Sequence, residues 1–426
     1  MLNRTLSPML SPLSAPTLLS HKRITLDNGV EIVYINDPSQ EVFKMDVVFE
    51  AGVYYQPQAL VASTAINMLN EGTRQHSAEA IADLFDYYGA YTDFNCGLNK
   101  SELSLISLNK YAAETIGIFA ELITDSTIPE KELEIFLTNK RQEFLVSNEQ
   151  TSYLARKKFS ELLFGANHPY ANQVSEKDYT HISSALVRDF YHRYINARNC
   201  RIMICGNVSD EIVELTIRHF SCLSAPGGSD QLVSQAFTPA PTGRYRVQKD
   251  HSVQSSLRIG KEGVRLTDDD YAGFMLLNTI LGGYFGSRLM SNIREEKGYT
   301  YGISSFNVSM PQGSYWCVAA DVNKEYTEET IEETMKEIHR LQREKVGEDE
   351  LSLVKNFLYG DLLRELDGVF SQSDALKHKL NYGLDNQIYI QLIEQIKKCS
   401  SSTLLELANQ YWDTETMYVV TAGEVV

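Results

Sequence analysis

The sequence predicts an α+β fold of two duplicated α/β sandwich domains, each an antiparallel-rich sheet with long helices packed on it. Three observations carry this: similar segments recurring at one offset, a Ser/Gly/Pro-rich stretch between them, and the same order of strand and helix patterns on either side. Segment 194–206 (YINARNCRIMICG) corresponds to 411–423 (YWDTETMYVVTAG) at an offset of 217. Both run from an aromatic through a polar turn into a β-rich strand and end on glycine. Asn109-Lys110 with the helical AAETIGIFAELI matches Asn323-Lys324 with EYTEETIEETMKEI at an offset of 214. Glu132-Leu133 and Glu350-Leu351 open further helical stretches at an offset of 218.

These matches divide the chain into an irregular N-terminal arm (1–22), a first domain (23–220), a linker (221–243) and a second domain (244–426). In the first domain ITL and VEIVYI flank Asp27-Asn28-Gly29, a hairpin signal because Asn-Gly tolerates the positive φ of the turn. MDVVFEAG reads as a strand, and ALVASTAINMLNEG as a helix stopped by Gly72. Ser77 is placed to cap a helix whose Ile81, Leu84, Phe85 and Tyr88 share one face, with Gly89 ending it. SELSLISL alternates as a strand, and long helices close the domain. In the second domain VQSSLRIG is a strand, and Thr267-x-x-Asp270 has the form of a capping box before a helix with Phe274, Met275, Leu277 and Leu281. Ser287 is expected to cap a helix ending at Gly298, and SYWCVAADV is a strand.

Composition narrows the function class. With 43% hydrophobic and 22% charged residues the chain is globular, and a formal charge of −17 disfavours nucleic acid as a partner. No run approaches the apolar length of a membrane span, and the arm lacks the continuous apolar core of a secretory signal, so the expected location is cytoplasmic. Six scattered cysteines without CxxC spacing read as buried free thiols.

LDNGVEIVYI, AGVYYQP, YINARNCRIMICGN and above all GGYFGSRLMSNIREEKGYTYGI (282–303) resemble the pitrilysin (M16, inverzincin) superfamily of zinc peptidases, in its short-chain branch related to mitochondrial processing peptidases. The likeness covers nearly the whole length from about residue 23. It implies that the two domains form half of a clamshell. An inverzincin uses H-x-x-E-H on a helix, two histidines binding zinc and the glutamate acting as base, with a further glutamate downstream. Counted back from Asn70-Glu71-Gly72-Thr73, those slots hold Ser63, Ile66 and Asn67, and Glu143 takes the downstream position. No two of the nine histidines are closer than 11 residues, so no helical i, i+4 imidazole pair exists. A substitute metal set of Glu143 with Glu71 or His76 is chemically poor. No metal ligand and no bound cofactor is therefore expected in this chain.

The resemblance also implies an arginine that holds substrate and a tyrosine that donates to the oxyanion, on the half of the clamshell opposite the metal. They map onto Arg294 and Tyr301, with Tyr299 as a rival donor at the wrong spacing. Both are expected to face one cavity. Gly282, Gly283 and Gly286 are candidate substrate-binding positions, where backbone can approach an extended peptide. The implied function is the non-metal-binding subunit of a heterodimeric peptidase. Its partner would be an HxxEH-bearing chain of similar size that holds the zinc, and its substrates peptides or short unfolded polypeptides. The competing reading is an inactive structural or peptide-binding protein of the same fold.

Overall fold

Gly29 takes a φ of +98°, and the turn it makes pairs Lys22–Thr25 (β1) antiparallel with Glu31–Asn36 (β2). In the computed structural model the described residues are 16–225 and 235–424; positions 1–15 of the arm and 226–234 of the linker lie outside them. Val42–Phe49 (β3), Tyr91–Cys96 (β4), Ser101–Leu108 (β5) and Cys200–Gly206 (β6) complete a sheet of order β1-β2-β6-β3-β5-β4. Gly243–Gln248 (β7), Gln254–Glu262 (β8), Thr300–Met310 (β9), Gly313–Asn323 (β10) and Tyr418–Gly423 (β11) form a second sheet of order β7-β11-β8-β10-β9. Apart from β1 the two orders correspond strand for strand. In each, one pair is parallel (β2 with β6, β7 with β11) and the rest are antiparallel. The fold is thus α+β with two sandwich units, as the duplication predicts.

Helices cover one face of each sheet, burying Ile116, Phe119 and Phe190 in the first core and Phe274, Ile338 and Trp412 in the second. The sequence places helices on that side only, and the structure adds one on the opposite face of each sheet. Helix Thr151–Phe164, from the first unit, lies on β8 and β11 of the second. Helix Gly368–Leu380, from the second unit, lies on β2 and β6 of the first. Their starting residues are 217 apart, the offset of the main repeat, so the exchange is reciprocal. Val33, Ile35, Met203 and Cys205 meet Val369, Leu376 and Leu380. Each such buried side chain stabilises by about 1.5–3 kcal/mol.

The same interface carries charge. Asp46 on β3 is 1% exposed; it accepts from Ser104 Oγ at 2.6 Å and from Lys377 Nζ at 2.6 Å. Lys377 also binds Glu102 and lies 3.0 Å from Asp374, while Lys44 reaches Asp374 at 2.6 Å and Asp46 at 3.2 Å. Burial works against the Lys377 ammonium, but Asp46, Glu102 and Asp374 together outweigh it and hold it well above the ordinary lysine range. Burial likewise opposes the Asp374 carboxylate, and Lys377 and Lys44 hold it below its ordinary value.

Two flanking segments are tied to this body. Leu19 N–H donates to Gln372 Oε1 at 2.8 Å and Gln372 returns a bond to Thr17 O, so this part of the arm rests on the exchanged helix. Thr238 and Ala240 N–H donate to Phe164 and Leu162 carbonyls, strapping the end of the linker to the other exchanged helix. Among the described residues all six cysteines are free, with Cys200, Cys205, Cys317 and Cys399 buried, and no helix is long and apolar enough to cross a membrane.

Local caps differ in part from expectation. Ser77 accepts from Ala80 N–H, and Gly89 ends that helix at a φ of +61°. The capping box at Thr267 does not form. Asp268 turns back to the Arg265 N–H, and Asp270 accepts instead from Tyr411 Oη at 2.8 Å. Tertiary partners there outcompete the local cap.

Candidate functional site

The helix that would carry a metal runs Val61–Asn67 and continues as a tight turn through Met68–Asn70. Its side chains are committed elsewhere. Ser63 Oγ donates to Leu60 O at 3.1 Å, and Asn67 Nδ2 donates to Ser63 O at 2.8 Å, so both polar groups bond their own helix. Ile66 is fully buried in the first core. Glu143 is exposed and pairs with Lys140 at 2.8 Å on its own helix. His76 Nδ1 engages Glu121 Oε1 at 3.0 Å, so the substitute set of Glu143, Glu71 and His76 does not assemble. Among the described residues the one group of three potential ligands is Asp46, Glu102 and Asp374. Lys44 and Lys377 already neutralise most of its charge, and a carboxylate set occupied by two ammonium groups is no zinc site. The residues present do not fit a catalytic zinc.

The second candidate region is built differently. Helix Tyr271–Asn278 widens into a π turn at Thr279–Gly283, and a tight turn follows in which Ser287 N–H donates to Tyr284 O at 3.1 Å. A new helix begins at Arg288 and is π-wound over Met290–Glu296, with Lys297 N–H reaching Asn292 O five residues back. Ser287 precedes it, but its hydroxyl is buried and makes no cap bond. Asn292 Nδ2 donates to Glu337 Oε1 at 2.8 Å and to Glu333 Oε2 at 3.2 Å, fixing the π segment on helix Thr327–Arg343. Arg294 stands on that segment. Wide turns of this kind displace a side chain from its α-helical position and occur often at functional sites.

Gly298, at a φ of +68°, ends the segment and the chain enters β9. Ile303 pairs with Ala320 and Thr300 with Val322, so Tyr301 and Gly302 together face the single residue Asp321. This is a β-bulge, a device that re-aims side chains. Thr300 Oγ1 supports it by bonding Asp321 O at 2.6 Å and accepting the Gly302 N–H at 3.1 Å. Tyr301 projects from the bulge 90% exposed.

Neither polar end is used internally. Among the described residues no carboxylate pairs with Arg294; its guanidinium lies over the Phe285 ring, 4.7 Å from the centroid. No described residue hydrogen-bonds the Tyr301 hydroxyl. Tyr299, the rival donor, is stacked on Tyr326 at 4.4 Å with rings 12° from parallel, which leaves Tyr301 as the projecting phenol. At that exposure Tyr301 meets no opposing wall among the described residues of this chain. Of the three glycines, Gly282 is buried, and a Cβ there would meet Ser305 N at 2.7 Å, so its bareness serves the packing of β9. Gly283 and Gly286 reach solvent; a Cβ on Gly286 would meet the Tyr284 ring at 2.9 Å. Sequence reading passed over Phe285, although an aromatic inside a glycine-rich turn was a visible signal.

Fold and site together give a double α/β sandwich in which Arg294 and Tyr301 stand on a π segment and a bulge, and Ser63, Ile66 and Asn67 bond or pack within their own unit. The profile of the Peptidase M16 inactive domain matches residues 181–358, a span containing Arg294 and Tyr301. A zinc protease of Rickettsia felis is 25% identical over 402 residues, covering 92% of this chain and 95% of its own. The zinc protease YmxG of Bacillus subtilis is 23% identical, with 82% and 86% covered, and the mitochondrial-processing peptidase subunit beta of Lentinula edodes is 21% identical, with 92% and 87% covered. Among solved structures, a peptidase M16 inactive domain from Pseudomonas fluorescens superposes with a TM-score of 0.83 at 24% identity, covering 96% of this chain and 99% of that one. A protease from Helicobacter pylori superposes at 0.85 with 17% identity, covering 96% and 100%. Over residues 181–358 the chain is thus similar to the M16 inactive domain, and nearly its whole length aligns with proteins named as zinc proteases and processing peptidases.

Proposed function

We propose that this chain is the non-metal-binding subunit of a two-subunit zinc metallopeptidase that hydrolyses peptides or short unfolded polypeptides. A separate HxxEH-bearing subunit of similar size supplies the metal and the general base. The observation that carries this reading is an arginine and a tyrosine with unused hydrogen-bonding capacity, on a π segment and a bulge, in a chain whose metal positions are filled by Ser63, Ile66 and Asn67. An oxyanion donor works in a site closed to water, and Tyr301 is 90% exposed, so a second wall must come from another molecule. In the closed assembly Tyr301 Oη donates to the developing oxyanion, and Arg294 grips a substrate carbonyl and fixes the scissile bond. This pair makes half of a clamshell into half of an active site.

Native co-purification of the tagged chain tests the reading. A stoichiometric HxxEH-bearing partner, with chelator-sensitive peptide cleavage only in the complex, is the expected outcome. Recovery of the chain alone, or as an inert homodimer, would favour the structural or peptide-binding role. The lost metal site should also resist simple restoration. Ser63→His, Ile66→Glu and Asn67→His combined place a carboxylate in the first core and leave Glu143 on the surface beside Lys140. The isolated triple variant is expected to retain no stoichiometric zinc after dialysis and to cleave no peptide. Robust zinc-dependent cleavage by that variant would contradict this account.

A further inference from the structure

The turn between the two π segments is held from one side. Tyr284 packs on Phe357 of helix Glu348–Arg364, ring centroids 4.9 Å apart. Arg288 binds Glu350 of the same helix through two bonds, Nε to Oε1 at 2.9 Å and Nη2 to Oε2 at 2.8 Å. A two-pronged pair of this kind fixes orientation as well as distance. Phe285, at the apex between these anchors, is spared from anchoring. It is 61% exposed, and the group against its ring is the Arg294 guanidinium at 4.7 Å. An aromatic side chain left this open contributes little through burial, whereas a ring face attracts a cation and leaves the in-plane N–H donors of the guanidinium free.

We infer that Phe285 is a positioning residue for Arg294, a seat that presents the guanidinium edge-outward to substrate. The inference rests on the part assigned to Arg294 in the proposed peptidase. The anchored turn sets the ring, the ring sets the plane of the guanidinium, and Arg294 needs no carboxylate that would compete for its donors.

The test is steady-state kinetics of the assembled complex carrying Phe285→Ala, Phe285→Trp, Arg294→Ala and the double variant Phe285→Ala/Arg294→Ala. Phe285→Ala is expected to raise KM about twofold to fivefold, the range of an exposed cation–ring contact, with kcat nearly unchanged. Phe285→Trp, which keeps a ring face, is expected to restore KM. In the Arg294→Ala background the loss of Phe285 should add nothing. Wild-type KM in Phe285→Ala, or an effect that simply adds to that of Arg294→Ala, overturns the inference while leaving the role of Arg294 intact. Wild-type kinetics in Arg294→Ala would remove the parent reading, and this inference with it.

Discussion

Tyr301→Phe is expected to lower kcat of the assembled peptidase by about 100- to 1,000-fold, the loss seen when one oxyanion donor is removed, while KM stays within about threefold. The asymmetry follows from when the hydroxyl acts. A phenol aimed at the tetrahedral oxygen gains most as negative charge develops, so its removal raises the barrier without weakening ground-state binding. The structure makes the experiment clean, because the ring is 90% exposed and no described residue bonds the hydroxyl. Thermal stability of the variant should therefore match wild type, and a fall in turnover cannot be attributed to unfolding. An unchanged kcat would take Tyr301 out of the reaction. Tyr299→Phe serves as the control, since that ring is stacked on Tyr326 and its replacement should leave turnover unaltered.

Lys377→Met is expected to produce the largest loss of stability, about 3 kcal/mol, read as a lower urea midpoint. Lys377 is the ammonium shared by Asp46, Glu102 and Asp374, and Asp46 is only 1% exposed. Removing it leaves three carboxylates against the single Lys44. Adding Asp46→Asn should recover part of the loss, because a neutral amide tolerates burial better than an unpaired carboxylate. The pH dependence has a definite sign. The raised Lys377 pKa contributes stability that is complete below the unfolded value near ~10.4 and fades as pH rises through the folded value. The depressed Asp374 pKa contributes stability that is complete above about 3.9 and is lost as pH falls through the folded value. The gap between wild type and Lys377→Met should hence form a plateau from about pH 5 to 9 and shrink toward acid. Equal midpoints at pH 7 would show the network to be energetically neutral.

Much of this molecule was legible in its sequence because the signals were local. Asn28-Gly29 carries its own turn chemistry, SELSLISL its own alternation, and the repeat at offset 217 anticipates a second sheet that matches the first apart from β1. Arg294 and Tyr301 were singled out by motif spacing and the resemblance it carries, but the π segment and the bulge on which they stand were not. A π turn depends on packing against helix Thr327–Arg343, and the bulge on the register of β10, and neither leaves a local mark. The capping box at Thr267 failed for the same reason, since Asp270 found Tyr411 141 residues away. The exchanged helices did leave a trace. CRIMIC and VEIVYI are apolar at nearly every position, the pattern of strands buried on both faces, and Lys44 and Asp46 are charges set inside one such sheet.

The reciprocal exchange of Thr151–Phe164 and Gly368–Leu380 has a consequence for how the chain is made. The first sheet is complete once Gly206 has been synthesised, yet the helix that covers its second face ends at Leu380. Roughly 170 further residues, on the order of 10–30 s at ribosomal rates, separate the two events. Throughout that interval Val33, Ile35, Met203 and Cys205 face solvent on the nascent chain, and Asp46 waits for its ammonium partner from the second unit. A first unit that folds ahead of the second therefore carries an uncovered apolar sheet face until Leu380 has been made.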